Sequence, residues 1–139
     1  VGVSRPEHTE LLARTLGLLG TVRAWVVHGA DGLDELSTTG FTKVSEYHEG
    51  TVRTFYLHPS DVGLPVADKA ALVGGTAAEN AALIERLLAG ERGPARDIVL
   101  LNAGAGLLIA GRAASVREGI ALAADAVDRG AARAALDRL

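Results

Sequence analysis

Apolar residues spaced three and four positions apart characterise the beginning of the chain. Leu12, Leu16 and Leu19 follow this spacing, which predicts a helix over about residues 6–19 with one apolar face. Residues 4–7 (SRPE) have the form of a capping box with proline in the first turn. We therefore expect the helix to begin within this segment.

A continuous apolar run follows at residues 24–27 (AWVV). Such a run is typical of a strand that is covered on both faces in a parallel sheet. With residues 1–3 (VGV) as a truncated first strand, the chain would begin with a βαβ unit. Further along, residues 42–48 and 51–57 are rich in β-branched and aromatic types and flank Glu49-Gly50. This arrangement predicts an exposed or edge hairpin.

A loop without periodicity is expected over residues 58–66, and helical patterns fill the region past residue 76. Capping boxes at 76–79 (TAAE) and 115–118 (SVRE) predict helices over about 77–89 and 116–129. Another helix should begin near Gly93-Pro94, and its small residues would allow a neighbouring element to approach closely. The sequence therefore predicts an α/β fold with a partial parallel sheet, an edge hairpin and a layer of helices.

Composition narrows the classes of protein to consider. With 139 residues and 48% apolar content, the chain fits one folded domain. A net charge of −3, with 14 basic residues scattered singly, gives no stripe for a nucleic-acid backbone. The absence of cysteine excludes disulfides, thiolate metal sites and a cysteine nucleophile. No apolar run is long enough for a membrane span and no secretory leader is evident, so we expect a cytoplasmic protein.

Three carboxylates crowd the stretch HGADGLDE at residues 28–35. They repel one another unless they are solvated or neutralised. Asp34 and Glu35 suit Mg²⁺, which one or two carboxylates commonly hold together with waters and substrate phosphates. Alternatively, Asp31-Gly32 forms a turn while the other two acids are solvated or cap a short helix. Spacing leaves both interpretations open, although open α/β sheets usually bind ligands beyond strand carboxyl ends.

Other candidate positions give weaker signals. Gly74-Gly75 precedes a capped helix whose amino terminus could bind an anion, but Glu79 competes for the same amides, which favours a simple turn. His28 ends the buried strand beside the carboxylates, where a structural hydrogen bond is favoured over acid-base work. Asn102 is interpreted as a packing or capping residue. No nucleophile or general base is assigned.

Two longer segments carry a family resemblance: VRAWVVHGADGLDELS and LVGGTAAENAALIERLLAGERGPARDIVLLNAGAGLLIAG. Both resemble the carboxyl-terminal part of the catalytic domain of anthranilate phosphoribosyltransferases, and the resemblance runs from Val1 to Leu139. Its HG-x-DGLDE string distinguishes this branch from the pyrimidine nucleoside phosphorylases, which share the large α/β domain. Phe41 stands where the family usually has proline, and Thr76 stands where aspartate is frequent.

The resemblance implies transfer of a phosphoribosyl group from phosphoribosyl pyrophosphate to anthranilate, with release of pyrophosphate, in tryptophan biosynthesis. It also implies that the adjacent acidic pair, here Asp34 and Glu35, binds Mg²⁺. A cation on the pyrophosphate would neutralise the charge that accumulates on the leaving group. The full-length enzyme is expected to be a homodimer.

The same resemblance indicates what lies outside the chain. The family's amino-terminal helical domain, its glycine-rich phosphoribosyl pyrophosphate loop and its anthranilate contacts precede the matched region. Residues 1–139 are therefore expected to form the carboxyl-terminal part of the α/β catalytic domain and to be inactive alone. A pyrimidine nucleoside phosphorylase-like enzyme, and a non-catalytic fragment or binding module of the same fold, are the alternative hypotheses.

Overall fold

The computed structural model describes all 139 residues. Its elements follow the order α1 (His8–Leu18), β1 (Arg23–Gly29), β2 (Thr42–His48), β3 (Thr51–Leu57), α2 (Ala77–Leu88), α3 (Pro94–Ile109), α4 (Val116–Asp128) and α5 (Ala131–Leu136). Two short 3-10 turns lie between β3 and α2, at Pro59–Val62 and Lys69–Leu72. The predicted α/β class is confirmed, and α5 is an element that the sequence patterns did not indicate.

The three strands form one antiparallel sheet in the order β1-β2-β3. Parallel pairing is confined to the beginning of the chain, where Gly2 forms a bridge with Val27. The Val3 amide donates to the Val27 carbonyl at 3.0 Å, and the Val27 amide donates to the Val1 carbonyl at 2.9 Å. The predicted βαβ unit is therefore present, while β1 pairs on its other edge with the hairpin.

The hairpin has the predicted bounds. Glu49 and Gly50 both have positive φ, 49° and 80°, as a two-residue turn that matches strand twist requires. Only β3 lies at the edge of the sheet, however, because β2 pairs with both of its neighbours. The hairpin therefore lies at the sheet edge through β3, as predicted, whereas Val44 and Ser45 on β2 are fully buried.

Helix α1 covers one face of the sheet. Val26 of β1 packs with Val3 and Ala13 on this side. Leu19 is 77% exposed because it lies just beyond the helix, so it does not extend the apolar face as its spacing predicted. The capping box expected at residues 4–7 is absent, since the helix begins later and its N-cap residue makes no side-chain cap.

The opposite face of the sheet packs against α3 and α4. Trp25 and Val27 project to this side from β1 and meet Leu101 and Leu108 of α3 in the largest buried cluster. The ring of Phe55 packs edge-on against Trp25, with centroids 5.4 Å apart. Strand β1 is therefore covered on both faces, as its continuous apolar run predicted.

Helices α3 and α4 cross in backbone contact. A Cβ placed on Gly104 would lie 2.6 Å from the Ile120 amide nitrogen, and a Cβ on Gly119 would overlap the Gly104 carbonyl oxygen. Neither position has space for a side chain. The small residues of α3 predicted that a neighbouring element could approach closely, and α4 does so here. The contact fixes the position of α3 relative to α4.

The helix starts follow their predicted caps in part. Thr76 and Glu79 form the reciprocal capping box of α2, so threonine serves where the family often has aspartate. Ser115 caps α4 by accepting from the Glu118 amide, whereas the Glu118 carboxylate accepts from the Ala114 amide instead of from Ser115. None of the helices has both the length and the apolar character needed to cross a membrane.

Candidate metal-binding site

The acidic loop, residues 30–39, directly follows β1 and is folded by its own backbone. The Gly29 amide donates to the Leu33 carbonyl at 2.8 Å, and the Ala30 amide donates to the Phe41 carbonyl at 2.9 Å. Gly32 has a φ of 95°, a conformation that favours glycine. Phe41 thus closes the loop through its main chain, and this turn does not depend on the usual proline.

Asp31 holds the loop together from within. One carboxylate oxygen accepts from the Ser37 and Thr39 hydroxyls, the latter at 2.6 Å, and the other accepts from the Leu33 amide at 3.1 Å. Burial by itself would raise the pKa of Asp31, but these hydrogen bonds favour the charged form and the pKa lies below its ordinary value. Asp31 is therefore the turn-forming member of the acidic stretch.

Asp34 and Glu35 have a different environment. Both residues are exposed, neither takes part in an ion pair, and no side-chain hydrogen bond holds either carboxylate. No three His, Cys, Asp or Glu side chains are arranged so that together they could hold a metal ion. Two free carboxylates fit Mg²⁺, which keeps several waters and binds phosphate oxygens, better than a cation that needs a closed protein cage.

The end of the loop is attached to helix α3. The Asn102 side chain accepts from the Leu36 amide at 3.0 Å and donates to the Leu36 carbonyl at 2.9 Å. The next amide, that of Ser37, donates to the Thr42 hydroxyl at 2.9 Å. The free acidic pair is thus bracketed by a rigid turn on one side and by anchored backbone on the other.

The first residues of the chain contact the loop from a second direction. A Cβ on Gly2 would overlap the Asp34 carbonyl oxygen, so the loop backbone packs directly onto this glycine. A cavity of about 220 Å³ lies beside this contact, and Glu35 and Asn102 are among its few polar lining residues. Glu35 therefore borders both solvent and a small, largely apolar space.

The other polar candidates have structural partners. His28 forms a hydrogen bond through Nδ1 with the Val3 carbonyl at 2.8 Å, which confirms the structural role expected for it. The Lys69 ammonium donates to the Asp31 carbonyl at 2.8 Å and holds the segment before α2 against the acidic loop. The sequence patterns gave no indication of this role for Lys69.

The glycine pair before α2 forms a turn that its own side chains close. The Asn80 side chain accepts from the Gly75 amide at 2.9 Å and donates to the Gly75 carbonyl at 3.2 Å. The Thr76 amide donates to the Glu79 carboxylate at 2.7 Å. These partners occupy amides that an anion would need, as the simple-turn interpretation predicted.

Asn102 is the residue of this region whose importance the sequence patterns underestimated. Between Asp97 and the end of α3 it is the only side chain with hydrogen-bonding groups, in an otherwise apolar helix. A polar side chain in such a position requires a partner, because buried polar groups are nearly always hydrogen-bonded. That signal indicates a partner without identifying the loop that provides it.

Comparison with known proteins places this site in a family. Residues 1–133 match the model described as "Glycosyl transferase family, a/b domain". Anthranilate phosphoribosyltransferase of Caulobacter vibrioides is 55% identical over 136 residues, which cover 98% of this chain and 40% of that protein. The enzyme of the same name from Moorella thermoacetica is 50% identical over 139 residues, covering 100% of this chain and 41% of the relative.

Solved structures agree in fold. Anthranilate phosphoribosyltransferase from Thermus thermophilus superposes with a TM-score of 0.89 at 45% identity, over 99% of this chain and 40% of that one. The Saccharomyces cerevisiae enzyme in complex with phosphoribosyl pyrophosphate and Mg gives 0.88 at 27% identity, over 98% and 40%. The chain spans about 40% of the length of these relatives. It belongs to the glycosyl transferase family, whose α/β domain it matches over nearly its whole length.

Proposed function

We propose that this chain is the carboxyl-terminal part of the catalytic domain of an anthranilate phosphoribosyltransferase. In the complete protein it would take part in transferring phosphoribosyl from phosphoribosyl pyrophosphate to anthranilate for tryptophan biosynthesis. The observation that carries the proposal is the free, adjacent acidic pair Asp34 and Glu35 on a loop whose backbone is held in place. Relatives at 50% identity and above have this enzyme's name, which favours it over a nucleoside phosphorylase.

In the proposed reaction, the bond between ribose C1 and the pyrophosphate oxygen breaks, and a bond between C1 and the anthranilate nitrogen forms. Pyrophosphate leaves with the bonding electrons, and the amine loses a proton. Mg²⁺, when bound, would neutralise the negative charge that accumulates on the diphosphate as it leaves. Asp34 and Glu35 would bind the cation, while Asp31 keeps the turn that presents them.

The remaining substrate contacts are assigned to the part of the protein outside this chain. No basic residue forms an ion pair with the acidic loop. The Lys69 ammonium contacts the loop, but it donates to the backbone carbonyl of Asp31. A diphosphate needs several cationic or amide donors. We therefore propose that residues 1–139 contribute the metal ligands and that the isolated chain does not catalyse the transfer.

A chimaera tests this proposal. This chain would replace the matching 136-residue segment of the Caulobacter vibrioides enzyme, and turnover would be followed by loss of anthranilate fluorescence with phosphoribosyl pyrophosphate and Mg²⁺. The chimaera is expected to be active and the chain alone inactive. The double variant Asp34→Asn, Glu35→Gln should lower turnover roughly 100-fold, since metal stabilisation of leaving-group charge is a contribution of several kcal/mol.

The controls separate folding from chemistry. The double variant should keep the circular dichroism spectrum and thermal midpoint of the parent chimaera, because both side chains are exposed. A folded chimaera without activity would reject the assignment of substrate. Unchanged turnover across a Mg²⁺ titration in the double variant would reject the assignment of metal ligands. Turnover by the isolated chain would show that the site fits within these residues.

A further inference from the structure

The Asn102 amide joins two segments that are 66 residues apart in the chain. Its oxygen accepts from the Leu36 amide at 3.0 Å, and its nitrogen donates to the Leu36 carbonyl at 2.9 Å. Leu36 immediately follows Glu35, so the anchored peptide is the one that ends the acidic pair. A side-chain amide bound to both backbone groups of one residue restrains its position and its orientation.

The orientation of the Asn102 amide is itself determined. Its nitrogen also donates to the Ile98 carbonyl at 2.9 Å, one turn earlier in α3. Exchanging oxygen and nitrogen would place the oxygen against two carbonyl oxygens, with no donor to either. The amide is therefore tied to the backbone of α3, and the position of α3 determines where Leu36 lies.

Helix α3 is a firm support because of its contact with α4. Gly104, two residues after Asn102, touches the α4 backbone so closely that neither helix has space for an added carbon. On the other side of the loop, Gly2 contacts the Asp34 carbonyl with similarly little space. The backbone of the acidic pair thus contacts Gly2 directly on one side and is linked on the other side, through Leu36 and Asn102, to the tightly packed α3.

We propose that Asn102 is the positioning residue for the divalent cation held by Asp34 and Glu35. The inference rests on the function proposed above and adds the group that sets the geometry of the two carboxylates. Ligands on a fixed backbone bind with less ordering cost than ligands on a mobile loop. Removing a residue that orients the metal ligands without contacting the metal commonly lowers metal affinity 10- to 100-fold.

The test uses the 139-residue chain, ¹⁵N-labelled, with Mn²⁺ as a paramagnetic probe of the site. Line broadening of the Asp34, Glu35 and Leu36 amides during titration gives the Mn²⁺ affinity, and amide hydrogen exchange at Leu36 reports the anchor without any metal. Asn102→Leu removes both hydrogen bonds to Leu36 and keeps the same number and branching of side-chain heavy atoms. We expect it to raise the half-saturating Mn²⁺ concentration about tenfold and to speed exchange at Leu36.

The control variant is Asp128→Asn. It removes the charge that pairs with buried Arg96 at 2.7 Å, in the first turn of α3 and at the end of α4. The change therefore perturbs the helical layer away from the close contact of Gly104 with Gly119 and leaves the loop contacts intact. This variant should keep the Mn²⁺ affinity and the Leu36 exchange rate of the wild type. If it weakens Mn²⁺ binding as much as Asn102→Leu does, general loosening of the helical layer explains the effect and the inference is overturned.

A second variant covers the case in which Asn102→Leu does not fold. Asn102→Asp keeps the shape and the acceptor for the Leu36 amide but loses both donors and adds a negative charge near the cation. Charge alone would tighten Mn²⁺ binding, whereas loss of positioning weakens it, and we expect weakening. Tighter binding in this variant, or unchanged affinity in Asn102→Leu, overturns the inference. A wild type without selective broadening at the acidic pair would instead reject the metal assignment and the inference together.

Discussion

The carboxylate of Glu46 and the carboxylates of Asp34 and Glu35 have opposite surroundings. Glu46 on β2 is 6% exposed and accepts from the Trp25 indole at 2.9 Å and from the guanidinium groups of Arg23 and Arg53. Asp34 and Glu35 are exposed and have no such partners. A carboxylate whose oxygens are all hydrogen-bonded within the protein stabilises the fold, whereas a carboxylate without such partners, on a loop whose backbone is anchored, is available to a ligand.

The largest expected effect on stability comes from replacing Glu46, the buried carboxylate. Glu46→Gln keeps the shape but leaves the Arg23 charge without its partner, so it should lower the free energy of unfolding by about 3 kcal/mol, as for other disrupted buried pairs. Urea unfolding followed by circular dichroism measures the change. Arg53→Gln is the matched control, with an expected cost below about 1 kcal/mol because the Arg53 side chain is mostly exposed. A loss below about 0.5 kcal/mol for Glu46→Gln would remove the contrast between the two groups.

Acid should reduce this difference between wild type and Glu46→Gln. Burial would raise the pKa of Glu46, but the hydrogen bonds from Trp25 and Arg23 and the Arg23 charge lower it below the ordinary 4.5. A carboxyl with a lowered folded pKa stabilises the protein fully above its unfolded pKa, and this contribution is lost as pH falls through the folded value. Unfolding free energies measured from pH 7 to below 4 should therefore converge. If the unfolding free energies of the two proteins instead differed by the same amount at every pH, the Glu46 carboxylate would not be the source of the difference.

Asp31 should show an intermediate effect, since it belongs to the acidic loop yet is used by the fold. Asp31→Asn weakens the charge-assisted bonds from Ser37 and Thr39 and should cost about 1–2 kcal/mol. In a double-mutant cycle with Ser37→Ala, the two losses should not add, because they remove the same contact. The same unfolding assay measures all four proteins, and full additivity would show that Asp31 acts through other partners.

The smallest expected effect on stability comes from the proposed ligands. Asp34→Asn with Glu35→Gln should change the free energy of unfolding by less than about 0.5 kcal/mol, and any gain from relieved repulsion should shrink in high salt. The same variant should abolish selective Mn²⁺ broadening of the loop amides. A loss of more than about 1 kcal/mol in the free energy of unfolding would show that Asp34 and Glu35 are structural carboxylates, like Glu46.

The elements that could be predicted from the sequence are those fixed by residues close together in the chain. The hairpin bounds followed from Glu49-Gly50, whose two positive φ values fix the register of the flanking strands. The start of α2 followed from Thr76 and Glu79, three residues apart. By contrast, the capping box expected before α1 is absent, because a local motif competes with other turns of similar free energy and tertiary contacts decide between them.

The long-range polar contacts of the site could not be derived from patterns. The pairing of Asn102 with Leu36 spans 66 residues, and Glu46 meets Trp25 across 21. A single sequence shows that such polar residues need partners but does not say which ones. Spacing alone left Asp34 and Glu35 as either metal ligands or solvated acids beside an Asp31-Gly32 turn, and the family resemblance favoured metal ligands. Hydrogen bonding in the structure separates Asp31 from the other two.

The contact of α3 with α4 limits how this chain can vary over time. Gly104 and Gly106 lie two residues apart on α3, yet a methyl group at Gly106 would meet no atom within 4 Å. Alanine there would be tolerated and would favour the helix by about 1 kcal/mol. At Gly104 the same change must push two backbones apart and carry Asn102 with them. A lineage that accepts a side chain at position 104 must therefore adapt its acidic loop at the same time, so these two distant segments are expected to diverge together.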